Sequence, residues 1–174
     1  ACEHAGVAPD VLVLGKALGG GMLPLAAVLA RGDLDVAGDL AVGHYTHEKN
    51  PILAAAGLAT LDVIEEEGLV ARAAELGDHA LGRLRELACR QPLIGEVRGL
   101  GLLIGIELVR PDGTPALAAA EAALYASLAR GLSFKVTQGS VLTLAPPLVI
   151  GRADLDRAID ILAGAIEAAA GVDA

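Results

Sequence analysis

Two long helical patterns, set almost end to end between Asn50-Pro51 and Gln91-Pro92, constrain this chain most. They separate a strand-and-loop part before them from a mixed part after them. Asn50 offers an N-cap side chain and Pro51 a preset φ at the first helical position. The first pattern runs from there to about Glu67, where Gly68 ends or kinks it. The second covers about Leu69 to Arg90, with Leu76, Leu84 and Leu87 among its apolar positions, and Gln91-Pro92 stops it. Ahead of the helices, Val11–Leu14 reads as a short buried strand and Leu25–Ala30 as a second, parted by Gly19-Gly20-Gly21 and Pro24. Behind them, Ile94–Leu108 is a strand-like apolar run interrupted by Gly99, Gly101 and Gly105. Ala116–Arg130 is helical, and Leu132–Val136 with Val141–Ala145 forms a hairpin around Gln138-Gly139-Ser140. A last helix over Arg152–Ala170 places Leu155, Ile159, Leu162 and Ile166 on one face. Strands, long helices and then a βαββα unit predict an α/β or α+β fold. The first part has too few strands to close a sheet of its own.

Composition removes several classes of function. With 22 acidic residues against 13 basic ones, the net charge is −9. The basic residues are scattered singly, so no stripe exists to neutralise phosphates, and no nucleic-acid partner is expected. No apolar run approaches the ~20 residues of a membrane span, and no membrane partner is expected. Cys2 and Cys89 make neither a disulfide framework nor a metal site, which suits reduced thiols in a cytoplasmic protein.

Lys16 carries the chemistry. It is one of three lysines, with Lys49 and Lys135, and it follows the apolar run Val11-Leu12-Val13-Leu14-Gly15. A lysine at the end of a buried strand has its charge desolvated, which favours the neutral amine that forms Schiff bases. Taken by position alone, it is a strand-end lysine that snorkels to solvent. Gly15-Lys16 is not a phosphate loop, because Asp10 stands where the first glycine belongs and Ala17 follows the lysine. Gly99-Leu100-Gly101 is not a dinucleotide fingerprint either. Its third glycine is Gly105, one place late, and the glycines are better read as permitting close strand packing. His44 and His47 lack a convincing third metal ligand, so no metal is expected. None of Ser127, Ser133 and Ser140 sits in a nucleophile turn.

Five blocks in order resemble the class III, fold-type I, pyridoxal-phosphate-dependent aminotransferases. They are Glu3–Asp10, Leu14–Pro24 around Lys16, Thr46 through Asn50-Pro51, Val97–Gly101, and Leu144–Leu148. The resemblance covers essentially the whole chain. It implies the C-terminal part of the fold-type I large domain followed by an α+β small domain. Residues 1–68 would be the end of the cofactor domain, and residues 69–174 the interdomain helix and small domain. It also implies pyridoxal 5′-phosphate as cofactor. Lys16 would hold it as an imine and then shuttle a proton between substrate and cofactor, and Thr46 would bind its phosphate across a homodimer interface. An amine or amino acid and an oxo acid would be the substrates.

Two departures bear on substrate. His47, Glu48 and Lys49 replace the aromatic-Gly-Gly that the family carries before Asn-Pro, in a loop near substrate. Thr143 stands where many members have an arginine that binds a carboxylate, and a neutral hydroxyl cannot form that bidentate fork. Arg98 is the other candidate for a substrate anion, set against a structural ion pair. These departures keep a second outcome open, an ammonia- or phospho-lyase acting on an amino-alkyl phosphate or phosphonate. The family's phosphate loop, stacking aromatic and pyridine-nitrogen aspartate are not found in this sequence. A fragment, inactive alone or serving only as a dimerisation module, is the third expectation.

Overall fold

A computed structural model describes residues 2–40, 43 and 46–172. The chain divides into two compact units, Ala1–Glu67 and Gly68–Ala174.

The first unit contains β1 (Val11–Leu14), a 3-10 turn over Lys16–Gly19, β2 (Ala27–Ala30) and helix α1 (Pro51–Glu66). β1 and β2 pair antiparallel, with Val11 opposite Ala30 and Val13 opposite Val28. The start of α1 forms as its sequence dictates: Asn50 Oδ1 accepts a hydrogen bond of 2.9 Å from the Ile52 amide. The Lys16–Gly19 turn packs on α1 at Gly57. A Cβ there would lie 2.5 Å from Leu25 Cδ2, so a larger residue would make the Leu25 side chain move aside. The expectation of a buried β1 is not met. Val13 is 70% exposed and Val28 68%. The strands have the apolar pattern of a buried pair, but a two-stranded ribbon buries a face only when another layer covers it, and none of the described residues does so.

The second unit contains α2 (Leu69–Ala88), β3 (Ile94–Leu100), β4 (Leu103–Leu108), α3 (Leu117–Leu128), β5 (Lys135–Thr137), β6 (Val141–Leu144) and α4 (Arg152–Ala169). The run Ile94–Leu108 is therefore two strands, not one. Gly101, at φ +55°, turns the chain between them, and Leu100 pairs with Leu103. The unit is ββαββα after its long helix, with an antiparallel sheet in the order β3-β4-β6-β5. Ile104, Ile106 and Leu108 of β4 and Leu142 of β6 are buried with Leu84 of α2 and Leu155, Ile159, Leu162 and Ile166 of α4. The alternate residues Glu96, Arg98, Gly105, Glu107 and Thr143 form the opposite, polar face.

α2 reaches this sheet through two glycines. A Cβ on Gly77 would fall 2.2 Å from the Gly101 carbonyl oxygen, a backbone atom that cannot swing aside. Gly77→Ala should therefore lower the melting temperature, although alanine is favoured in a helix by ~1 kcal/mol. Gly82, on the same helix with nothing within 4 Å of its would-be Cβ, is the control. Gly82→Ala should raise the melting temperature, and thermal unfolding of the pair checks both signs.

Polar contacts also tie α2 to α4. Arg83 donates to Asp156 (2.9 Å) and to Asp160 (2.7 Å), and Asp156 lies 2.6 Å from His79 Nε2. Arg152 Nη2 lies 3.2 Å from His79 Nδ1. A guanidinium only donates, so Nδ1 accepts and Nε2 carries the proton given to Asp156. The His79 hydrogen bond, then Arg83, holds the Asp156 carboxyl below its ordinary value. A depressed carboxyl stabilises the fold above its unfolded pKa of ~3.9, and that stability is lost as pH falls through the folded value. Asp156→Asn should thus lower the melting temperature at pH 7. The gap from the parent protein should close below about pH 4, as a melting series across pH will show.

Candidate active site

The first unit supplies one group of candidate residues. Lys16 begins the turn that leaves β1, with φ +52°. Left-handed backbone costs a non-glycine residue ~1 kcal/mol or more, and such costs gather at functional positions. The turn is closed by Leu18 N to Gly15 O (3.2 Å) and Gly20 N to Ala17 O (2.9 Å). Lys16 is exposed, contrary to the desolvated setting expected for it. The reason is the uncovered β1–β2 ribbon on which it sits. Among the described residues its amine has no hydrogen-bond or ion-pair partner.

Thr46, His47, Glu48 and Lys49 form an exposed turn directly before the Asn50 cap. Lys49 has φ +56°, a conformation that glycine adopts at little cost. It is also a position where the resemblance expects glycine, so the loop keeps a glycine-like backbone while presenting an ammonium. His44 and Tyr45 lie outside the described residues. Among those described, no cluster of three metal-ligating side chains occurs.

The second unit holds the other group. Arg98, Gly105, Thr143 and Lys135 lie in one cross-strand row: Arg98 pairs with Gly105, Gly105 with Thr143, and Thr143 with Lys135. Arg98 Nη1 donates to Glu96 (2.6 Å) and to Glu107 (2.7 Å). Glu96 and Glu107 face each other across β3 and β4, so the guanidinium also relieves a like-charge pair. The Glu107 hydrogen bond, opposed by desolvation and reinforced by Glu96, holds Arg98 above its ordinary pKa. Thr143 Oγ1 lies 2.9 Å from Thr137 Oγ1. Glu96, Glu107 and Thr137 escaped the reading of the sequence. A spacing of two is the signal that puts Glu96 and Arg98 on one face of a strand, but only the register of β4 brings Glu107 to them.

The comparisons with known proteins give this arrangement its family. Residues 1–166 match Aminotransferase class-III. The chain belongs to the class-III aminotransferase family. It is 44% identical over 162 residues to an (R)-1-hydroxy-2-aminoethylphosphonate ammonia-lyase of Vibrio splendidus (strain 12B01), covering 92% of this chain and 34% of that protein. It is 42% identical over 178 residues to a diaminobutyrate–2-oxoglutarate aminotransferase of Rhizobium meliloti (strain 1021), covering 96% of this chain and 37% of that one. An acetylornithine aminotransferase structure from Elizabethkingia anophelis superposes with a TM-score of 0.85 at 38% identity, over 97% of this chain and 41% of that one. The fold is thus that of fold-type I pyridoxal-phosphate transferases, and the chain spans about two-fifths or less of these relatives. Class-III aminotransferases are pyridoxal-phosphate enzymes as a family.

Asn50 sets the entry of α1 and with it the Thr46–Lys49 turn. Asn50→Ala should cost ~1 kcal/mol, measured by urea unfolding, through loss of the capped Ile52 amide.

Proposed function

We propose that the protein containing this chain transfers an amino group from an amine or amino acid to an oxo acid, with Lys16 as its catalytic residue. The observation that carries this reading is the Lys16 amine, exposed and unpartnered among the described residues, at a left-handed position after β1. Those properties fit a group that must be reached by a cofactor aldehyde. Lys16 would hold pyridoxal phosphate covalently. Thr46, an exposed hydroxyl in the turn before α1, would donate to its phosphate. When bound, the cofactor supplies the electron sink that acidifies the substrate C–H. Lys16 Nζ takes that proton and returns it, a role that needs an amine free of competing hydrogen bonds. In this reading residues 1–68 close the cofactor domain, residues 69–174 form the interdomain helix and small domain, and Thr46 serves the neighbouring subunit of a homodimer.

A second reading, elimination of ammonia or phosphate from an amino-alkyl phosphonate or phosphate, has two specific observations in its favour. One is the 44% identity to a phosphonate ammonia-lyase. The other is Thr143, whose hydroxyl is engaged with Thr137 and offers no cation to a carboxylate. Lys16 would act as the base in either reaction, so the acceptor decides between them.

Lys16→Ala in the natural protein should abolish the imine absorbance of the bound cofactor and lower turnover about 100-fold or more. Product analysis then separates the outcomes. Transfer requires an added oxo acid, and elimination releases ammonia or phosphate without one. Unchanged absorbance and turnover in the variant would remove Lys16 from the chemistry.

A further inference from the structure

Beside the β5 edge, the loop after β6 and the first half of α4 enclose a cleft of about 730 Å³. That volume lies in the range of small-molecule sites, ~300–1,000 Å³. Phe134, Leu144 and Ile161 give it apolar walls. Arg130, Lys135 and Arg157 line it as well, against a single carboxylate, Asp154. Of the candidate residues described above, Thr143 and Lys135, neighbours in the cross-strand row, reach it.

Three cationic side chains without partners among the described residues converge on this one cleft. Acidic residues outnumber basic ones, and three other arginines are each held by two carboxylates: Arg31 by Asp10 and Asp33, Arg83 by Asp156 and Asp160, Arg98 by Glu96 and Glu107. The side chains of Arg130, Lys135 and Arg157 have no ion-pair or hydrogen-bond partner among the described residues. Asp154 does not compensate them fully. Its carboxylate turns back over Gly151, with Oδ2 3.7 Å from the place of a Cβ there, at the N-terminus of α4, where the helix favours negative charge. Arg130 is positioned in advance. Its Nη1 lies 2.7 Å from where Gly164 would carry a Cβ, so the missing side chain lets the guanidinium rest on α4.

We infer that this cleft binds a small organic anion with an apolar body. Arg130, Lys135 and Arg157 take the carboxylate or sulfonate, and Phe134, Leu144 and Ile161 take the hydrocarbon. Unpaired cations beside an apolar floor reward a ligand that brings both parts, and they reward neither inorganic anions nor neutral hydrocarbon equally.

The test uses 2-naphthoate as probe and 2-naphthol as its neutral counterpart, titrated calorimetrically into the natural protein. Binding of 2-naphthoate at least about tenfold tighter than 2-naphthol is expected, weakening as salt is raised. The Arg130→Gln/Arg157→Gln double variant should lose about tenfold in 2-naphthoate affinity and leave 2-naphthol unchanged. Lys135→Gln, at an exposed edge-strand position, gives the same readout should the double variant not fold. Equal affinities for the two probes, no binding at millimolar concentration, or unchanged affinity in the variants would each overturn the inference.

Discussion

Burial of one face of the β3-β4-β6-β5 sheet under its helices is the constraint on which the second unit depends. Ile104, Ile106, Leu108 and Leu142 meet the stripe of Leu155, Ile159, Leu162 and Ile166 on α4, so a period of two packs against a period of 3.6. Strand register follows from that match. A one-residue slip of β6 would carry Leu142 into solvent and Thr143 into the core. The polar row of Arg98, Gly105, Thr143 and Lys135 is thus a consequence of the packing behind it. Gly77 against Gly101 then brings α2 close enough to the β3–β4 turn to cover the same core.

The first unit holds its candidate residues by local devices, because it has little core. Lys16 is placed by its own left-handed backbone and by two backbone hydrogen bonds within its turn. The Thr46–Lys49 turn is fixed at one end by the Asn50 cap, and α1 is joined to the Lys16 turn at Gly57, where Leu25 occupies the space of a side chain. Each device is specific in geometry and modest in energy. Such a region is stable only with help from packing elsewhere, and its exposed valines on β1 and β2 show where apolar surface remains to be covered.

That difference explains what the sequence disclosed. Helix starts and stops are local: Asn50-Pro51, Gly68 and the α4 stripe act through residues within a turn or two, and they were legible. The β5–β6 hairpin was legible for the same reason. The division of Ile94–Leu108 into two strands was not, because an apolar run with three glycines reads equally as one interrupted strand or as a hairpin at Gly101. The setting of Lys16 was misjudged for a different reason. Burial belongs to layers, and an apolar strand pattern states what a strand needs without supplying the layer. The ties of Arg98 to Glu107 and of Thr143 to Thr137 depend on register between strands, which no single segment encodes.

The polar sheet face bears on how an anionic substrate group would be received. Arg98 has one nitrogen committed to two carboxylates, and withdrawing it would leave Glu96 and Glu107 opposed without a cation. A carboxylate arriving there competes with two already present, so Arg98 is a poor receptor while that network stands. The Thr143 and Thr137 hydroxyls already share a hydrogen bond. Within the row, Arg98 and Thr143 are thus already engaged, and Lys135 at the β5 edge is the cation without a partner among the described residues. The ammonium of Lys49 is differently placed chemically. It is exposed, unpartnered among the described residues, and held in a backbone conformation for which glycine would be the cheaper choice. Of these two side chains, Lys49 carries a cation without a partner among the described residues, and Arg98 one already neutralised by two carboxylates.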